Sequence, residues 1–129
     1  MIKLLARYAD YAYSLLRMVA GFLFACHGAQ KLFGMFGGDT PLDHINMVAG
    51  AIEFFGGILI ALGLAANLAA FIACGEMAVV YFSVYAPHGP LPIQNGGERV
   101  VLFCFFFFYV ALKGAGPLSF DSLFRRHPS

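Results

Sequence analysis

Charge is what this chain has least of. Asp, Glu, Lys and Arg together make up 12% of its 129 residues, about half the share usual in a soluble domain. With 60% of residues hydrophobic, a water-soluble fold would have to hide nearly every side chain, and one small domain lacks the interior for that. A lipid bilayer removes the difficulty by solvating the outer faces. Basic blocks are missing and the formal net charge is +1, which argues against nucleic acid as a partner. The three cysteines, Cys26, Cys74 and Cys104, lie far apart in apolar runs with no C-x-x-C or metal-knuckle spacing. They read as small buried hydrophobes, and dithiol chemistry by this chain alone is not expected. Period-2 alternation is missing, which excludes a membrane barrel. Neither an internal repeat nor the inverted repeat of a transporter is visible.

What remains is a series of long apolar runs. The first has Lys3 and Arg7 ahead of it, as a signal peptide would, but it continues through Arg17 to Phe33. A cleaved apolar region is only about 7–15 residues long, so an uncleaved first span is expected. A spanning helix needs about 20 mostly apolar residues, and four stretches qualify, at about 12–33, 45–64, 67–85 and 97–112. Gly34, Gly37 and Gly38 close the first, and Thr40-Pro41 supply a cap and a first-turn proline for the second. Pro87, Pro90 and Pro92 stop the third, and Lys113-Gly114-Ala115-Gly116-Pro117 follow the fourth, which is short enough to thin the bilayer locally. The loop at 63–67 is so short that spans two and three form an antiparallel hairpin.

The expected fold is therefore all-α, one integral membrane four-helix bundle over residues 1–129 with both termini on one side. That side carries Lys3, Arg7, Lys113, Arg125 and Arg126, against Lys31 and Arg99 on the other. The excess of Lys and Arg makes the termini cytoplasmic. Tyr8, Tyr11 and Tyr109 then fall near the inner interface, and Tyr81 and Tyr85 near the outer one.

Ionisable groups inside spans cost several kcal/mol, on the order of 3, unless paired or solvated. Arg17, His27 and Lys31 fall within an arc of roughly 80° on one helix, with Gly21, Phe24 and Gly28 beside them. Such a stripe faces the bundle. Gly50, Glu53 and Gly57 form a second one. The topology gathers His27, Lys31, Glu53, His88, Asn95 and Glu98 in the outer half, with Glu76 near mid-membrane and Arg17 in the inner half. Bland readings compete for each. Asn95 and Glu98 fit an N-x-x-E capping box, Lys31 can snorkel to headgroups, and His88 sits in a proline-rich loop. Glu53 and Glu76 have no such outlet. Either ion pairs hold them, such as Arg17 with Glu76 or Lys31 with Glu53, or they serve a ligand, proton or redox site. A metal is not expected: no E-x-x-H pair is present, and Lys31 would repel a cation. A haem would find a single histidine ligand in the membrane.

The series His27-Gly28-x-Gln30-Lys31-Leu32-Phe33-Gly34 resembles the signature that ends the first span in the DoxX family of small bacterial membrane proteins. Gly50-x-x-Glu53-x-x-Gly56-Gly57 with Leu62-Gly63, then Glu76-Met77, Asn95-Gly96-Gly97-Glu98 and Gly114-x-Gly116-x-x-Ser119-x-Asp121 match further pieces in order. The resemblance runs from Ala12 to Asp121 and implies a four-span protein of the bacterial plasma (inner) membrane. Its recurrent residues fall here on His27, Gln30, Lys31, Glu53, Glu76, Asn95 and Glu98. One relative, DoxD, is associated with thiosulfate–quinone oxidoreduction.

The leading expectation is a membrane redox subunit, possible as part of an oxidoreductase, that binds a quinone or similar amphiphile in the outer half of the bundle. His27, Glu53 and Glu76 are the candidate catalytic residues. His27, Gln30, Lys31, Glu53, Asn95 and Glu98 are the candidate binding residues. His27 and Lys31 would donate hydrogen bonds, and Glu53 and Glu76 would carry protons. Phe24, Phe54, Phe55 and Met77 are available as walls. Electrons would come from a protein partner, since no flavin, haem or iron–sulfur signature is present. The alternatives are a non-catalytic scaffold whose ion pairs fix helix register, and a small-solute permease, which four spans would manage only as an oligomer.

Overall fold

The computed structural model describes residues 2–34 and 44–124. The Thr40-Pro41 start of the second helix, Gly37 and Gly38, and the charges of Arg125 and Arg126 lie outside these described residues. A short helix α1 (Ile2–Ala6) leads into α2 (Ala9–Phe33), followed by α3 (His44–Leu62) and α4 (Ala66–Val80). A short helix α5 (Pro92–Asn95) precedes α6 (Glu98–Lys113), and α7 (Phe120–Phe124) closes the described chain. No strand occurs among the described residues. Ala9–Phe33 and the continuous stretch Ala66–His88 are long and apolar enough to cross a membrane, and Met47–Leu62 is a shorter apolar helix.

The breaks follow local chemistry. Gly34 adopts a left-handed φ of 67° and its N–H closes α2 on Gln30 O at 3.2 Å, a conformation that costs glycine little. Helix α4 was expected to stop at Tyr85, ahead of Pro87. Instead one π-helical turn (Tyr81–Tyr85) and one 3-10 turn (Ala86–His88) continue it. Proline is tolerated in the first turn of a helix because its missing N–H has no partner there anyway.

Four long helices make two tight antiparallel pairs. Helices α2 and α3 meet backbone to backbone through glycine. A Cβ on Gly21 would stand 2.5 Å from Ala61 N, and one on Gly28 would stand 2.6 Å from Phe54 Cα and 2.7 Å from Gly50 O. Helices α4 and α6 meet across a face of buried Ala66, Ala69, Ala70 and Ala73. Aromatic rings fill the space between the pairs. Phe24 of α2 lies 4.8 Å from the Phe107 ring of α6, and Phe103 stacks on Phe107 at 5.4 Å. The outward faces are apolar on every long helix: Leu15 and Phe22, Val48 and Phe55, Leu68 and Phe71, Leu102 and Phe105 are all exposed. A soluble domain would place charge there.

The chain after α6 doubles back over the α3–α4 turn, which the sequence had left unassigned. Asp121 accepts hydrogen bonds from Ala65 N–H at 2.9 Å and Ala66 N–H at 3.0 Å, and its own N–H reaches Gly63 O at 2.8 Å. Ala65 sits at φ 51°, a left-handed conformation costing roughly 1–2 kcal/mol for a residue with a Cβ. The carboxylate therefore caps α4 and holds a strained turn. Asp121→Ala is expected to destabilise the protein by about 1–2 kcal/mol, at the upper end for a lost helix cap. Thermal unfolding of the detergent-solubilised variant would measure this, and an unchanged midpoint would remove Asp121 from the capping role.

Candidate functional site

The two helix pairs diverge at the end where α2 finishes and α6 begins, leaving a cavity of about 740 Å³ between them. Helices α2, α3, α4 and α6 all contribute walls, together with the π-helical turn, and most of the lining is apolar. His27, Gln30, Lys31, Glu53 and Glu76 all line it. Residues scattered over fifty positions of sequence are thus brought to one place.

Glu53 is 2% exposed and its Oε2 accepts from Lys31 Nζ at 2.6 Å, forming one of the two expected ion pairs. Gly50 and Gly57, one turn to either side, let α2 approach closely enough for Lys31 to reach across. Glu53 Oε1 and both carboxyl oxygens of Glu76 are buried and receive no hydrogen bond from another described residue, and the two carboxyls lie within hydrogen-bonding reach of each other. Two buried carboxyls side by side are satisfied only by sharing a proton or by meeting a donor from elsewhere, so this pair on the wall of a roomy cavity is the main chemical feature of the site. His27 presents its ring edge-on to Phe103 at 6.3 Å, with Gln30 in hydrogen-bonding reach.

Arg17 does not pair with Glu76. It is fully buried at the opposite end of the bundle, where its guanidinium donates to four backbone carbonyls: Ile60 at 2.9 Å, Ala61 at 3.3 Å, Leu118 at 2.8 Å, and Ala115. The carbonyls at a helix C-terminus have no partner within the helix, and a planar cation with several donors satisfies them better than one carboxylate on another helix would.

Asn95 and Glu98 do not join the cavity, and they do not form a capping box. Glu98 is the first residue of α6 and exposed, with Gly97 in the capping position. Asn95 instead ends α5, and its side chain donates to Tyr81 Oη at 3.0 Å and Gly89 O at 3.1 Å while accepting from Gly97 N–H at 2.9 Å. It fastens the loop between α4 and α6. His88 is exposed, as a loop residue should be, and lies off the cavity. Of the expected walls, Phe24 and Met77 line the cavity; Phe54 and Phe55 pack on one another instead, and Phe71 and Phe103 take their place.

Arg99, which the sequence placed only as an outer-side charge, is a further lining residue. Its guanidinium reaches Tyr85 Oη at 3.5 Å, with Ser83 nearby on the π-helical turn. A signal was available: a cation in the first turn of a helix opposes the helix dipole, so Arg99 needed a reason to be there. Tyr85 ends a π-helical turn, a feature that often marks functional sites.

The model of a family described as DoxX matches residues 12–86. A protein of Haemophilus influenzae described as uncharacterized is 40% identical over 128 residues, covering 93% of this chain and 96% of its own. No solved structure matches.

Proposed function

The chain belongs to the DoxX family, and from that premise we propose that it is a multi-pass protein of the bacterial plasma membrane that binds a quinone in the cavity and serves as a redox subunit. Helices α2, α3, α4 with its extension, and α6 are its four spans, and both ends face the cytoplasm. Support for insertion comes from the apolar outward faces of all four helices. Helix α3 has 19 residues and α6 has 16, roughly 28 and 24 Å at 1.5 Å per residue, short of the ~30 Å hydrocarbon core but within reach of local thinning. Lys3, Arg7 and Lys113 lie at the end that holds α1 and the start of α2, in keeping with a positive inside.

The observation that carries the ligand reading is the adjacent pair of buried carboxyls, Glu53 and Glu76, which no other donor reaches at three of their four oxygens, in a cavity with apolar walls. A quinone headgroup has two carbonyls to be satisfied by donors and, once reduced, two hydroxyls to be satisfied by acceptors. Lys31, His27 and Arg99 supply donors; Glu53 and Glu76 supply acceptors that hold or release the protons of each reduction. Phe24, Phe71 and Phe103 flank the ring. Mass spectrometry of the mildly solubilised protein is expected to find close to one quinone per chain. Glu76→Ala and His27→Ala should each lower retention by about tenfold, the effect of losing one charged or polar contact. Glu53→Gln keeps the shape but weakens the Lys31 pair, and should slow turnover while sparing most of the binding. Equal quinone retention in all four proteins would sink the reading.

The Lys31–Glu53 pair also favours a second reading, in which the chain is a scaffold and the pair fixes the register of α2 against α3. The exchanged double variant Lys31→Glu/Glu53→Lys distinguishes the two. A scaffold recovers stability and function with the charges reversed, whereas a ligand site recovers stability alone.

A further inference from the structure

The cavity is walled on one side and open on another. Between α2 and α6 aromatic rings close it: the Phe103 ring lies 5.7 Å from Phe24 and 6.3 Å from His27. The exposed apolar residues of its lining all belong to α3 and to α4 with its extension, among them Val48 on the first and Ile72, Val79 and Val84 on the second. These two helices are joined at the turn after Leu62 and stand apart where the cavity lies. From Ile72 to Val84 is roughly 18 Å of helix at 1.5 Å per residue, within a span, so the rim sits at the depth of the hydrocarbon core. Gly75 lies in the middle of this rim, next to Glu76. It is exposed, and a Cβ built on it would meet nothing within 4 Å. Glycine is a poor choice in mid-helix on propensity alone, and here it leaves the opening free of a side chain.

We propose that the gap between α3 and α4 is a lateral portal to the bilayer, and that the quinone is a long-chain isoprenoid one whose chain lies through the gap beside Gly75 while its headgroup meets Glu53 and Glu76. This inference rests on the quinone reading above and adds the route of entry and the nature of the tail. A cavity of about 740 Å³ is the size of a pocket for one drug-sized molecule. It holds a headgroup and the start of a chain, and the rest of the chain leaves through an opening lined by hydrocarbon. The chain gains little by moving from lipid to this rim, because lipid tails are as apolar as the side chains there. The portal therefore governs access: the headgroup reaches the buried carboxyls while its chain stays in the membrane.

Blocking the gap tests this. Gly75→Trp fills it from α4 and Val48→Trp from α3, so either suffices if the other fails to fold. Phe105→Trp places a tryptophan on the exposed outer face of α6 and is the control. Each protein is equilibrated in vesicles with a long-chain isoprenoid quinone or the same headgroup without its chain. It is then captured in mild detergent, and the quinone retained per chain is counted by mass spectrometry. Wild type and Phe105→Trp should retain both. The gap variants should lose the long-chain quinone by about tenfold or more, the scale of an overpacking clash, and the chainless one by less than about threefold. Equal retention of the long-chain quinone by all the folded proteins overturns the portal and leaves the quinone site standing. Equal loss of both quinones from the gap variants also overturns it, since the rim then belongs to the headgroup site. Retention of neither quinone by the wild type removes the quinone reading, and the proposed tail falls with it. The chain contains no tryptophan, so the variants also report without a quinone. Lipids brominated on their acyl chains should quench Gly75→Trp about as strongly as Phe105→Trp. Quenching of Phe105→Trp alone means that protein, a second copy included, covers the gap, and overturns lateral entry by itself.

Discussion

Arg17→Met should lower the unfolding midpoint of the detergent-solubilised protein by on the order of 10 °C, corresponding to about 3–5 kcal/mol, the cost of removing one partner from a buried charged network. The side chain is fully buried, and every contact made by its guanidinium that the structure shows is to a backbone carbonyl. Two of those carbonyls, Ile60 and Ala61, belong to the last turn of α3; the other two, Ala115 and Leu118, belong to the segment that folds back over it. Methionine fills the space of the stem but removes the guanidinium donors of Ala61, Ala115 and Leu118 O, while Ile60 O keeps only the Gly63 N–H at 3.1 Å. Helix α3 then loses its C-terminal cap, and the returning segment loses its anchor. Loss should spread to Tyr13, whose hydroxyl donates to Gly114 O at 2.5 Å, and to the Asp121 cap. Arg17→Lys should recover only a minor part, because one ammonium cannot reach carbonyls on two segments at once. A midpoint within about 2 °C of wild type for Arg17→Met would show that the network contributes little, well below the cost quoted for such a loss.

Gly28→Val should be more damaging still for the cavity. The new side chain would meet backbone, Phe54 and Gly50 O, rather than the flexible end of a neighbour. Relief requires α2 and α3 to move apart, which exceeds the usual overpacking cost of about 1–3 kcal/mol. The separation acts one turn from the Lys31–Glu53 pair, so that ion pair and the shape of the cavity are lost together. Gly56 is the control. It sits in the middle of α3 with nothing within 4 Å of a built Cβ, and Gly56→Ala should stabilise by roughly 0.5–1 kcal/mol through helix propensity alone. Folded yield and thermal midpoint, measured for both, check the argument. If the two variants behave alike, close backbone approach is not what holds α2 to α3.

Much of the architecture was legible because helix boundaries here are marked by glycine and proline and by the ends of apolar runs. Residues 12–33, 45–64 and 97–112 differ from α2, α3 and α6 by three residues or fewer at each end. The polar stripes of α2 and α3 were legible as well, since helical periodicity alone places Gly21, Gly28, Glu53 and Gly57 on buried faces. Asn95 and Glu98 misled for a local reason. The N-x-x-E spacing matches a capping box only if α6 begins at Asn95, and left-handed Gly96 delays the start to Glu98.

Composition and periodicity determined that this is an all-helical membrane protein with apolar outer faces, because both are properties of single helices and of the solvent they meet. Which polar groups meet was decided elsewhere. Arg17 reaches carbonyls 43 to 101 residues away, Cys74 meets Cys104 across 30 residues, and Arg99 lines the cavity beside Tyr85 of the π-helical turn. Each partner choice depends on how far apart two helices lie. That spacing is set by glycine and alanine on facing surfaces, and it acquires a value only when both surfaces are packed together.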